Sequence, residues 1–160
     1  MDGFLTVLTM VAALGCGLNA GVFFAFSSFV MKALARLQPA QGIAAMQSIN
    51  LVAVTPAFMA ALFGTATAAV TVAVWALIDW DGGYGPYLLA GGACYLLGAI
   101  GLTTAYHVPR NNALAALGPE STEAAEHWTR YAAEWTRWNH LRAVASLAAA
   151  VSLTLGLLMG

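Results

Sequence analysis

The sequence predicts an all-α fold: a four-helix transmembrane bundle with interfacial helical segments on the cytoplasmic side. Two observations carry this expectation. Hydrophobic residues make up 61% of the 160-residue chain and charged residues only 8%, against roughly a quarter charged in soluble domains. A soluble fold of this size would lack the charges to cover its surface. The charges are also missing from long tracts: Gly3 to Met31, Leu37 to Ile78, Gly82 to Tyr106 and Ala143 to Gly160 hold no Asp, Glu, Lys or Arg. A spanning helix takes about 20 apolar residues. The predicted spans are therefore about 4–30, 57–78, 86–106 and 141–159, within one integral membrane domain over residues 1–160.

Each segment has its own grounds. The first follows Asp2 rather than a basic stretch and has no small-residue cleavage site after it, so it reads as a retained span and not a secretory signal. It runs into "VMKALARLQP", where Pro39 stops the helix. "PAQGIAAMQSINLVAVTP" sets Gln41, Gln47, Ser48 and Asn50 among apolar residues. It reads as a short interfacial or partly buried helix ending by Pro56. Gln47 and Asn50, three apart, share a face turned to a cavity or to lipid headgroups. "DWDGGYGP" is the loop between the second and third spans.

"HVPRNNALAALGPEST" is expected to turn at Pro109, form a short helix and break at Gly118–Pro119. Ser121 or Thr122 can then cap a helix with Glu123 and Glu126 near its start, where the helix dipole favours acids. That helix is predicted to continue unbroken into the fourth span. Trp128, Tyr131, Trp135, Trp138 and Arg142, spaced by three and four, lie on one of its faces, with Ala145 and Ala149 beyond them.

All six basic residues, Lys32, Arg36, Arg110, Arg130, Arg137 and Arg142, fall on one side of this topology, and the opposite loops carry Asp2, Asp79 and Asp81. The positive-inside rule then places both termini outside the cell membrane. The expected surroundings are a lipid bilayer. A formal net charge of -1 argues against nucleic acid, which demands a basic footprint. Cys16 and Cys94 fall inside spans and read as buried apolar thiols. Small residues recur every four positions, at Ala13, Gly17, Gly21 and Ala25, at Ala60, Gly64 and Ala68, and at Ala90, Cys94 and Gly98. Such rows let helices approach closely in lipid, and the Gly17–Gly21 pair could equally serve a homo-oligomer.

The polar residues define a candidate site. His107, Asn111 and Asn112 sit at the exit of the third span, and Asn139, His140 and Arg142 at the start of the fourth, so both groups lie at one depth. An interfacial belt accounts for tryptophan, histidine and arginine; it gives no special role to the amides. In "HWTRYAAEWTRWNHLR" the first half reads as an interfacial anchor, and Trp135 to Arg142 as the site. For Asn19, deep in the first span, a bond to a neighbouring helix is the first reading and ligand contact the second. His107 and His140 could face each other as paired metal or haem ligands. However, three histidines in all, no HxxxH pair and no acid within a span argue for no metal and no cofactor.

"GVFFAFSSFVMKALARL", "AAMQSIN", "HVPRNNALAAL" and "WTRYAAEWTRWNHLRAVAS" together resemble the anthrone oxygenase-like family of small four-helix membrane proteins. The most specific parts are Val108, Pro109 and Asn111 in the turn, and the aromatic run Trp128, Tyr131, Trp135, Trp138 that ends in Asn139 and Arg142. The resemblance implies an oxygenase that converts an anthrone-like aromatic molecule without a cofactor. On that reading Tyr131, Trp135 and Trp138 build an aromatic pocket with Asn19 and Asn50 as further contacts. His140 or His107 acts as base, and Arg142 with Asn139, Asn111 or Asn112 holds the developing oxyanion. The competing expectation is a non-catalytic small-molecule-binding or structural membrane subunit.

Overall fold

The computed structural model describes residues 1–80 and 82–160, so Asp81 of the charge pattern above lies outside the described residues. Five helices follow in order: α1 (Gly3–Leu34), α2 (Pro39–Val52), α3 (Pro56–Ile78), α4 (Gly85–Ala115) and α5 (Thr122–Met159). Of these, α1, α3, α4 and α5 are long and apolar enough to cross a membrane.

Their starts follow from local chemistry. The Asp2 carboxylate accepts the Leu5 N–H at 2.8 Å, the Thr55 hydroxyl that of Phe58 at 3.2 Å and the Ser121 hydroxyl that of Ala124 at 3.1 Å. Each satisfies a donor left free by the first turn. Pro39 and Pro56 open α2 and α3, where a missing N–H costs nothing.

The expected turn at Pro109 is corrected: α4 passes straight through it. The reason lies in the preceding turns. Over Cys94–Gly101 and again over Thr103–His107 the helix widens into π-type turns. The Val108 N–H reaches back to the Thr103 carbonyl, giving the proline ring room that an α-helical turn denies it. Similar π turns interrupt α1 at Phe26–Val30 and α3 at Ala60–Gly64.

At 38 residues and 1.5 Å per residue, α5 is about 57 Å long, nearly twice the hydrocarbon core of a bilayer. Its N-terminal half therefore needs its own cover, and α2 supplies it. Ile43 and Met46 of α2 pack with Met31, Leu34, Leu114, Trp128, Tyr131 and Trp135 into a second core, separate from the one between the spans. Trp128 is only 3% exposed, and a Cβ on Gly42 would come within 2.8 Å of its ring. The first half of the aromatic run is thus protein interior and not a headgroup anchor. Gln47 faces neither cavity nor headgroups: its amide Nε2 donates to the Leu114 and Leu117 carbonyls at 2.9 and 3.1 Å, closing the end of α4. At the other end of the bundle the Met1 ammonium donates to the Gly160 carbonyl at 3.2 Å, so the termini meet.

Close helix approach depends on glycines other than those in the expected α1 row. A Cβ on Gly92 would lie 2.9 Å from the Ala69 backbone oxygen, and one on Gly98 would collide with Ala145. Gly17, Gly21 and Gly64 have nothing within 4 Å of that position. Gly92→Val should accordingly destabilise the bundle by about 1–3 kcal/mol, because backbone cannot yield as a side chain can. Gly17→Ala should change stability by less than about 0.5 kcal/mol. Thermal unfolding in detergent, followed by circular dichroism, checks both.

Candidate functional site

The buried residues of α5, polar ones included, fall on a single stripe. Trp128, Tyr131, Trp135, Asn139, Arg142, Ser146, Ala149 and Leu153 are all buried, a repeat averaging three and a half residues that keeps one helix face turned to its neighbours. Trp138, placed on that stripe by the sequence reading, is 37% exposed and packs outside it on Tyr106, ring centroids 4.7 Å apart. Asn139 takes its place. Its Nδ2 donates to the Phe23 carbonyl at 2.7 Å and the Ser27 hydroxyl at 2.8 Å, fastening α5 to the π turn of α1.

Arg142 is 6% exposed. Its Nη1 donates to Asn139 Oδ1 at 3.3 Å, its guanidinium lies 3.9 Å from the Phe23 ring centroid, and its Nε has no partner. Among the described residues the ion pair found is Arg110 with Glu134, 3.9 Å apart at the surface; Arg142 has no carboxylate. A buried cation normally finds a counter-ion, because desolvation costs several kcal/mol. Arg142 is left with an amide oxygen and a ring.

His107, the last residue of the α4 π turn, is 2% exposed and lies edge-on to Trp135, centroids 4.8 Å apart. Neither imidazole nitrogen has a hydrogen-bond partner; the Trp138 carbonyl approaches without reaching bonding geometry. One turn on, Asn111 is fully engaged. Its Oδ1 accepts from the Tyr131 hydroxyl at 2.8 Å and the Trp135 indole at 3.0 Å, and its Nδ2 donates to Asn50 Oδ1 at 3.1 Å.

These groups meet at one cleft of about 290 Å³, close to the lower end of small-molecule sites at roughly 300 Å³. Its walls include Phe23 and Phe26 of α1, Asn50 of α2, Phe58, Met59 and Leu62 of α3, His107, Asn111 and Asn112 of α4, and Arg142 of α5. Three of the four spans carry their π turns here, which is where such widened turns often gather in functional sites.

The structure thus brings together Arg142, His107, Asn111, Asn112 and Asn50, with Asn139 directly behind Arg142. It does not bring His140 in. That residue is exposed and lines a separate surface groove with Arg137, Trp138 and Leu141, so the two histidines do not face each other. Asn19 is also elsewhere, donating to the Gly15 and Ala61 carbonyls at 2.9 and 3.1 Å to join α1 to α3. Tyr131 and Trp135 stand behind the cleft as hydrogen-bond donors to Asn111 and do not form its wall. The aromatic wall belongs to Phe23, Phe26 and Phe58, which the sequence reading missed. The run "FFAFSSF" in α1 was the available signal for the first two.

The class this defines is a helical bundle with four helices fit to cross a membrane and an aromatic-walled cleft holding a buried histidine and an unpaired arginine. A family model described as anthrone oxygenase matches residues 55–152, and the chain belongs to that family. No curated protein and no solved structure matches it.

Proposed function

We propose that the protein is a multi-pass cell-membrane oxygenase, with both termini outside, that oxidises an anthrone-like aromatic molecule to the corresponding quinone without a cofactor. One observation carries this reading: His107, whose nitrogens are unpartnered, and Arg142, which lacks a carboxylate, line the same phenylalanine-walled cleft. An anthrone has a methylene group flanked by two aromatic rings and a ketone across the central ring. His107 removes one methylene proton, and the negative charge moves onto the ketone oxygen, where the Arg142 guanidinium receives it. The resulting anion is electron-rich enough to give an electron to dioxygen directly. The radical pair couples to form a C–O bond, and the imidazolium returns its proton to the peroxide.

His107 then takes the second hydrogen from that carbon as a proton. The O–O bond breaks, the carbonyl forms, and the hydroxide released becomes water with the proton from the imidazolium. One anthrone and one dioxygen give one anthraquinone and one water. Phe23, Phe26 and Phe58 hold the rings, and family membership supports the substrate class.

The test is oxygen uptake by the purified protein supplied with an anthrone, with anthraquinone followed by absorbance. One dioxygen should be consumed per anthraquinone, faster than in protein-free detergent, and His140→Ala should match the wild type. Uptake no faster than the blank would end the oxygenase reading.

A further inference from the structure

The oxygenase scheme uses Arg142 and His107 and leaves the amide pair on the α2 and α4 walls of the cleft without a task. The orientation of that pair is determined by its donors. The Trp135 indole can only donate, so the Asn111 oxygen must face it, as the 3.0 Å contact has it. Asn111 must then present its Nδ2 to Asn50, and Asn50 must answer with its oxygen. This chain across α5, α4 and α2 leaves the Asn50 Nδ2 as the remaining end. That atom is buried and meets no acceptor in bonding geometry; the Tyr131 hydroxyl, whose proton goes to Asn111, lies beside it.

Unpaired buried donors are rare because each costs about 1–3 kcal/mol. Asn50 itself lines the cleft. Asn50 of α2 and Arg142 of α5 line that cleft from different helices, and each carries a buried nitrogen without a partner. A ligand that meets both donors must offer two acceptor oxygens, which a fused ring system carries on separate rings.

We propose that Asn50 is a ligand-recognition residue. Its Nδ2 donates to an acceptor oxygen carried on an outer ring of a fused polycyclic ligand whose other oxygen is held by Arg142. Asn111 and Trp135 are positioning residues that fix the amide in the donor-forward sense. The proposal rests on the reading that the cleft holds a planar aromatic molecule, but it does not need turnover.

Its test therefore uses anthraquinones, which cannot be oxidised further by the scheme above. Binding of an anthraquinone with one methoxy group on an outer ring, and of its amino counterpart, is measured by quenching of tryptophan fluorescence in detergent. The wild type should favour the methoxy compound, an acceptor, by about tenfold. Asn50→Leu should abolish the preference, and Asn50→Asp, which keeps the bond from Asn111 but turns an acceptor outward, should reverse it. A reversal is something that loss of folding cannot produce. An unchanged order in Asn50→Asp overturns the proposal, as does failure of both compounds to bind the wild type. Selective binding without oxygen uptake would remove the oxygenase reading and leave the role of Asn50 standing.

Discussion

Arg142→Met is expected to slow anthrone oxidation by about 100-fold or more while leaving the unfolding temperature unchanged or higher. The two halves of this result have separate causes. Removing one well-placed donor to a developing oxyanion costs roughly 10²–10³ in rate, and Arg142 is the sole cation lining the cleft among the described residues. Stability should hold because the side chain is poorly compensated where it is. It has one 3.3 Å bond to an amide oxygen and a ring contact at 3.9 Å. A cation–π contact is worth up to about 2 kcal/mol when desolvated, whereas desolvating the ion costs several. Methionine fills a similar volume without that cost. A structural role for Arg142, as in a non-catalytic subunit, gives the opposite signature: the unfolding temperature falls, and any ligand affinity falls with it. Arg142→Lys should be intermediate in rate, since it keeps the charge and loses the planar fork.

The placement of Arg142 shows what the sequence could and could not convey. Four charge-free tracts pointed to the four long helices, because a single uninterrupted apolar segment can satisfy its own backbone groups in a bilayer only as a helix. The ends were less legible. The expected third span stopped near 106, whereas α4 runs to Ala115, because Pro109 read as a stop and the π turns before it carry no signature in the sequence. The α5 stripe was legible as a face. Spacing alone, however, put Trp138 on it where the structure has Asn139, which is drawn inward by the Phe23 carbonyl and Ser27 hydroxyl on another helix.

His140 could have been set aside from the sequence. At about 100° per residue it stands roughly 200° from Arg142 around the helix, on the outer side. His107 offered no such clue, because its surroundings come from α5 and from the turns of its own helix. The three phenylalanines of the cleft wall look like any lipid-facing aromatic until the neighbouring helices are in place.

His107→Phe should lower turnover by about 10²–10⁴, the usual contribution of a positioned base, without loss of stability. Phenylalanine preserves a ring against Trp135, whose centroid is 4.8 Å from that of the imidazole, and it removes two buried nitrogens that have no partners. The unfolding temperature should therefore stay level or rise. His107→Ala should be equally slow but should regain activity when imidazole is added, because the deletion opens a space of imidazole size beside the cleft; the phenylalanine variant should gain nothing. Base and oxyanion donor act on the same proton transfer in this scheme. Combining His107→Phe with Arg142→Met should then cost little more than the worse single variant, the non-additivity expected of groups that work as a unit. Fully additive losses would mean the two side chains serve separate steps. Undiminished turnover in His107→Phe would assign the proton to solvent and leave His107 as a packing ring.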